Sequence, residues 1–286
     1  MVFALIAAVI STVAFSLIAL LYKDLRNKNV PTLGVMAIAG LCVPVWIILG
    51  LWLVKTGDAN SSSAYWLSLG MWAAVVYVWN ASSKYLYRYK GLTELHSYSL
   101  GGGLVLGVLA DMAYFQQAFD AKIMFSAGLL LLGGILLAKK RHESRDIPWT
   151  HVAALVAVTS VFAVVAATTY KIGVHLQPNV LSQVVFTQSI LYSLFFLTGA
   201  QSFVRNIRKA RITLKHVLGI CGLLLVATVF EAYAVKAFPV TMLVMLSVIP
   251  LALFSFYDAK NKELACSKKS IAALCLILAG LLLPQL

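Results

Sequence analysis

The chain has 286 residues, 61% of them hydrophobic and 12% charged, with a formal net charge of +13 and a mean hydropathy of +0.90. Those values exclude a water-soluble domain, which carries about twice that share of charge. The surplus of Lys and Arg forms no basic face interleaved with aromatics, so nucleic acid is excluded as a partner.

Crossing a hydrocarbon core takes about 20 apolar residues in helical form. Taken in chain order, such runs occupy 2–22, 31–54, 64–86, 94–116, 121–138, 149–170, 179–200, 216–236, 238–257 and 270–286. The first has no basic residue before it and no small-residue cleavage site after it, so a retained helix is expected there. Pro31, Pro148, Pro178 and Pro239 stand at the starts of runs, where a missing N–H does no harm. Pro44 and Pro250 lie inside runs and predict kinks or broken hydrogen bonds. Cys42, Cys221, Cys266 and Cys275 show no paired spacing, and three of them lie within apolar segments as small core residues.

The segments between these runs alternate sharply in charge. The first, third, fifth, seventh and ninth carry Lys23, Arg26 and Lys28; Lys84, Arg88 and Lys90; Lys139, Lys140, Arg141 and Arg145; Arg205, Arg208, Lys209, Arg211 and Lys215; and Lys260, Lys262, Lys268 and Lys269. The other four hold one each: Lys55, Lys122, Lys171 and Lys236. Because basic loops stay on the cytoplasmic side, this pattern predicts a polytopic membrane protein of ten helices with both termini on the non-cytoplasmic side. A bacterial inner (plasma) membrane is the expected location.

Shifting the chain by 148 lays Ile10–Lys23 over Val158–Lys171, with Tyr22-Lys23 over Tyr170-Lys171. A shift of 147 pairs Asp111 with Asp258, Lys122 with Lys269, Gly133 with Gly280, and Lys84 with Glu231. Five helices is an odd number, so tandem copies must insert upside down relative to one another. The expectation is an all-α fold, a 5+5 inverted repeat with one copy over 1–140 and the second over 147–286.

The ten-run plan, the near absence of loops and the ending Ala273 to Leu283 are similar to the EamA-like ten-helix branch of the drug/metabolite transporter superfamily. Pro250, Glu263 and Gly280 resemble that family's proline, acid and glycine cadence, whose first-copy positions hold Gly103, Gln116 and Gly133 instead. The resemblance implies a secondary transporter that moves a small organic metabolite or drug-like solute by alternating access, proton-coupled or by exchange. A flippase for a lipid-linked sugar or phosphate headgroup is the alternative. Relatives usually keep both termini in the cytoplasm, and the charge pattern here says the reverse.

No GxSxG, HExxH or P-loop motif occurs, so neither an enzyme nor an ATP-driven pump is expected, and no cofactor or metal is implied. The partners are the bilayer, a small solute and protons. Polar groups at membrane depth are the functional candidates, since each is costly unless it faces a cavity or a partner. Glu231 is the foremost, as a proton-binding carboxylate or counter-charge, with Lys84 opposite it; either could instead snorkel from a helix end. Asp111 shares a stripe with Ser99, Gly103 and Gly107 and has a coupling and a structural reading. Tyr77 and Asn80 lie on one face with Lys84. Gln183 with Thr187, and Gln188 with Tyr192, form i,i+4 pairs that either bind a polar solute or bridge helices. His96 titrates near neutrality in its ordinary state and is either a coupling group or interfacial.

Overall fold

The structure, a computed structural model, describes residues 2–57, 62–89, 92–116, 121–137, 148–176, 179–209, 211–237, 248–260 and 268–282. Among them every regular element is helical: α1 (Val2–Asn27), α2 (Thr32–Gly40), α3 (Val43–Thr56), α4 (Ser63–Leu86), α5 (Leu92–Phe115), α6 (Ala121–Leu137), α7 (Trp149–Leu176), α8 (Val180–Arg208), α9 (Leu214–Ala237), α10 (Val248–Lys260) and α11 (Lys268–Leu282). The division expected between 140 and 147, and the basic residues within it, lie outside the described residues, as do Pro178 and Pro239.

Among the described residues five stretches are long and apolar enough to cross a membrane: Phe3–Asn27, Thr32–Thr56, Ala153–Leu176, Val180–Arg208 and Leu214–Ala237. With a rise of about 1.5 Å per residue, α1 alone spans about 39 Å. α4 has the length but is less apolar, with Tyr65, Trp66, Ser68, Trp72, Tyr77 and Trp79 along it and Asn80, Ser83 and Lys84 near its end, the last three lining the cavity described below. Large apolar side chains such as Leu197, Phe256, Leu214, Ile48 and Leu51 are turned outward, the surface a lipid-facing bundle presents. Serines and threonines close their hydroxyls on carbonyls one turn back, as with Thr228 to Leu224 O and Ser189 to Val185 O, both 2.7 Å, which satisfies them without water.

The second expected run divides where Pro44 predicts. α2 ends at Gly40, Leu41 and Cys42 turn with hydrogen bonds back to Ile38 O and Ala39 O, and α3 begins at Val43 with proline in its first turn. The break is tied to α9 through sulfur: Cys221 donates to Ile38 O at 3.3 Å, and Cys42 donates to Cys221 O at 3.9 Å. Freed carbonyls at a helix break in a membrane need such partners. α3 then stops at Gly57, whose φ of 80° is the left-handed cap that glycine adopts freely.

Packing is carried by α2 on α8, α1 on α9, α4 on α7, α6 on α11 and α5 on α6. The α2–α8 crossing is a close approach on small residues and runs antiparallel: Gly34 faces Ser202, Ala37 faces Gly199, and Gly40 faces the backbone of Phe196. At the α6–α11 crossing, Gly133 lies against Ala273 O and Ile277 while Gly280 lies against Ser126 O and Leu130, and the Ser126 hydroxyl donates to Gly280 O. At one end of the bundle His216 joins α9 to α1, with Nε2 2.9 Å from Asp24 Oδ2 and Nδ1 accepting from Thr213 N at 3.2 Å. Lys28 completes that cluster 2.8 Å from Asp24. Asp258 at the end of α10 caps α5, accepting from Leu92 N at 3.2 Å and Thr93 N at 2.8 Å.

Candidate functional site

Between α1, α4, α7, α8 and α9 lies a cavity of about 440 Å³, lined also by His96 of α5 and by Pro250 and Phe254 of α10. That volume suits a small organic molecule, for which sites run from roughly 300 to 1,000 Å³. Its walls are largely aromatic and aliphatic. Trp72 and Tyr170 stack with centroids 5.5 Å apart, and Tyr192 meets Phe195 at 6.1 Å.

The polar groups in this wall are few and well placed. Lys84 is 4% exposed; its Nζ donates to Asn80 Oδ1 and stands 4.5 Å over the ring centroid of Tyr22. Asn80 in turn donates through Nδ2 to Val76 O at 2.9 Å. The i,i+4 spacing of Asn80 and Lys84 therefore makes one hydrogen-bonded unit on α4. Across the cavity Glu231, half-buried, lies one turn beyond Thr228 on α9 and within electrostatic range of Tyr170 and Tyr192. An acid and a base thus share one chamber with four tyrosines: Tyr22 of α1, Tyr87 just beyond α4, Tyr170 of α7 and Tyr192 of α8. Such a chamber offers a dipolar solute a cationic contact, an anionic contact and apolar walls between them.

The structure brings Glu231, Lys84, Asn80, Gln188, Tyr192 and His96 to this cavity. The His96 ring stands edge-on to Phe254 at 5.1 Å. Three others sit elsewhere. Tyr77 packs its ring on Phe195 at 5.7 Å outside the lining. Gln183 is buried against Gly173 of α7, where the missing side chain leaves room for its amide. Thr187 returns its hydroxyl to Gln183 O at 2.7 Å, so that pair forms part of a helix contact. The side chain of Asp111 lies outside the described residues.

Sequence reasoning passed over Tyr22, Tyr170, Ser16 and Thr228, all of which line the chamber. The signal for the tyrosines was present, since Tyr22-Lys23 and Tyr170-Lys171 are the best-matched dipeptides of the two halves. Lys23 itself is fully buried and donates to Tyr87 O at 2.7 Å, which fixes the end of α4 on α1. Among the described residues no cluster of three or more His, Cys, Asp or Glu is arranged to hold a metal ion.

No family model matches this chain, and no curated protein matches it. Solved structures do match: one, described only as "Crystal structure of protein", superposes with a TM-score of 0.59 over 96% of this chain and 96% of its own, at 16% sequence identity. The chain therefore shares its helical fold, over nearly its whole length, with a protein of known structure.

Proposed function

We propose that the chain is a secondary transporter moving a small organic metabolite or drug-like solute by alternating access, built as ten membrane helices in a 5+5 inverted repeat. In this reading it stands in the EamA-like branch of the drug/metabolite transporter superfamily and sits in a bacterial inner membrane with its basic end in the cytoplasm. The observation that carries the reading is the chamber itself, walled by helices from both halves and holding Lys84 and Glu231.

The repeat draws support from packing. Exchange α1 with α7, the α2–α3 pair with α8, α4 with α9, α5 with α10 and α6 with α11, and the pairs of packed helices map onto themselves. α1 on α9 becomes α4 on α7, α5 on α7 becomes α1 on α10, α4 on α8 becomes α2 on α9, and α7 on α9 becomes α1 on α4. α5 on α6 has no counterpart of similar extent in α10 on α11, whose connection at 261–267 is outside the described residues. Individual residues follow the same exchange. Gly133 on Ile277 mirrors Gly280 on Leu130, and Gly133 on Ala273 mirrors Gly280 on Ser126, each at a shift of 147.

Burial also repeats, at a shift of 148. Ser11, Ser16, Ile18, Tyr22 and Lys23 are buried on α1, and so are Thr159, Val164, Ala166, Tyr170 and Lys171 on α7. The cavity-lining pairs Val76 and Leu224, Asn80 and Thr228, Ser83 and Glu231, Tyr87 and Val235 keep that same shift. This register sets Glu231 opposite Ser83, one residue away from the Lys84 match read from the sequence. The two charges therefore line the same chamber without being symmetry mates.

A thermal-shift screen of metabolites on the purified protein would find the solute, because a ligand of the folded state raises its apparent stability. Uptake of that solute into proteoliposomes should then respond to an imposed pH gradient, and Glu231→Gln should remove the response. Uptake that ignores both leaves exchange as the mechanism, and no solute-specific flux at all sinks the transporter reading.

A further inference from the structure

The basic end of the bundle carries a second cluster, away from the chamber. Arg26, in the last turn of α1, is 5% exposed. Its Nη1 donates to Val30 O at 2.5 Å, while its Nε is buried with no hydrogen-bond partner. Arg88, just beyond α4, stands within electrostatic range of Arg26, and its Nε is buried and unpartnered too. Tyr85 and Tyr89 complete the group: both phenols lie within electrostatic range of Arg26, their rings are 5.2 Å apart, and the Arg88 guanidinium carbon is 5.9 Å from the Tyr89 ring centroid.

Two like charges within electrostatic range of each other, each with one buried N–H left idle, are costly, since the idle Nε–H loses its water and gains no partner. Nearby acids are engaged elsewhere. Asp24 is held by Lys28 and His216, and Asp258 accepts the first N–H groups of α5. Among the described residues no carboxylate is recorded against either guanidinium. A group with two or more negative oxygens would offset the repulsion between the guanidiniums, and the planar fork of Arg matches phosphate oxygens two at a time.

We propose that Arg26 and Arg88, flanked by Tyr85 and Tyr89, form a binding site for a phosphate-type oxyanion, separate from the transport chamber. The same chemistry is offered by free phosphate and by the headgroup of an anionic lipid at the membrane surface. The site does not depend on what the chamber carries.

The test uses the full chain and follows its thermal midpoint in two arms. In neutral detergent it is titrated with inorganic phosphate against chloride at constant ionic strength; in nanodiscs, phosphatidylcholine alone is compared with phosphatidylcholine plus phosphatidylglycerol. A rise with phosphate identifies a soluble oxyanion, and a rise with phosphatidylglycerol alone identifies a lipid headgroup. In either case Arg88→Gln should weaken the apparent affinity by about tenfold or more, as loss of a charge-assisted fork does. Arg88 Nε has no hydrogen-bond partner, so Arg88→Gln breaks no bond at that atom, and a ligand-free thermal midpoint near that of wild type checks that the variant is folded. Arg88→Lys, which retains the charge but not the fork, supplies a second reading with a smaller loss. No rise in either arm, or a rise of equal affinity in wild type and both variants, overturns the site.

Discussion

Gly40→Ala tests the crossing of α2 and α8, on which the helix break beside the chamber depends. A methyl at Gly40 would stand 2.6 Å from Phe196 N and 2.8 Å from its Cα, where ordinary contacts begin at 3.4 Å. Closing that deficit means moving the helices apart by about 0.8 Å, the difference between 3.4 and 2.6. The obstructing atoms are backbone, so no side-chain rotation relieves them. Overpacking of this kind costs about 1–3 kcal/mol. Gly70 and Gly222 supply the control, since a methyl at either meets nothing within 4 Å. There alanine should be neutral or should stabilise by up to about 1 kcal/mol through helix propensity. Equilibrium unfolding in mixed micelles, followed by tryptophan fluorescence, measures all three. Gly40→Ala should lower the midpoint while Gly70→Ala and Gly222→Ala hold or raise it, and shifts of the same sign and size in all three would refute the packing argument.

Other perturbations separate function from scaffold. Lys84→Met removes a buried ammonium but keeps most of the side chain's volume, so stability should change little or rise, while binding of the solute found by thermal shift should be lost; retained binding would make Lys84 structural. His216→Ala deletes the bonds to Asp24 and Thr213 and should cost about 1–3 kcal/mol in the same unfolding assay. Gly133→Leu and Gly280→Leu should destabilise by similar amounts, because each residue meets the symmetry mate of the other's neighbour; unequal losses of several kcal/mol would argue against a two-fold at that crossing.

Much of the helical layout is legible from apolar run length alone, since a helix in hydrocarbon has to satisfy its own backbone. Ends were read short wherever polar residues continue a helix past its apolar part. α7 runs on through Lys171 and His175 to Leu176, and α8 through Ser202 and Arg205 to Arg208. The break after Gly40 follows from Pro44, which has no N–H to offer a preceding carbonyl. The site was partly legible. Lys84, Asn80 and Glu231 stand out as polar residues in apolar runs, and the structure gathers them in one chamber. Gln183 and Thr187 carry the same signal yet pack in a helix contact, because the space that Gly173 leaves on α7 is visible only in three dimensions. Tyr22 and Tyr170 stand out by their matched Tyr-Lys pairs and not by polarity, since tyrosine is ordinary in a membrane helix and only its neighbours reveal which way it points.

Labelling from one side of the membrane tests the inverted repeat most directly. Asn27, at the end of α1, and His175, near the end of α7, are both exposed and lie 148 positions apart. With the native cysteines replaced, Asn27→Cys and His175→Cys are treated separately with a membrane-impermeant maleimide on intact cells. The account predicts that His175→Cys reacts at once and Asn27→Cys only after permeabilisation. Equal reaction of both from the same side would contradict it.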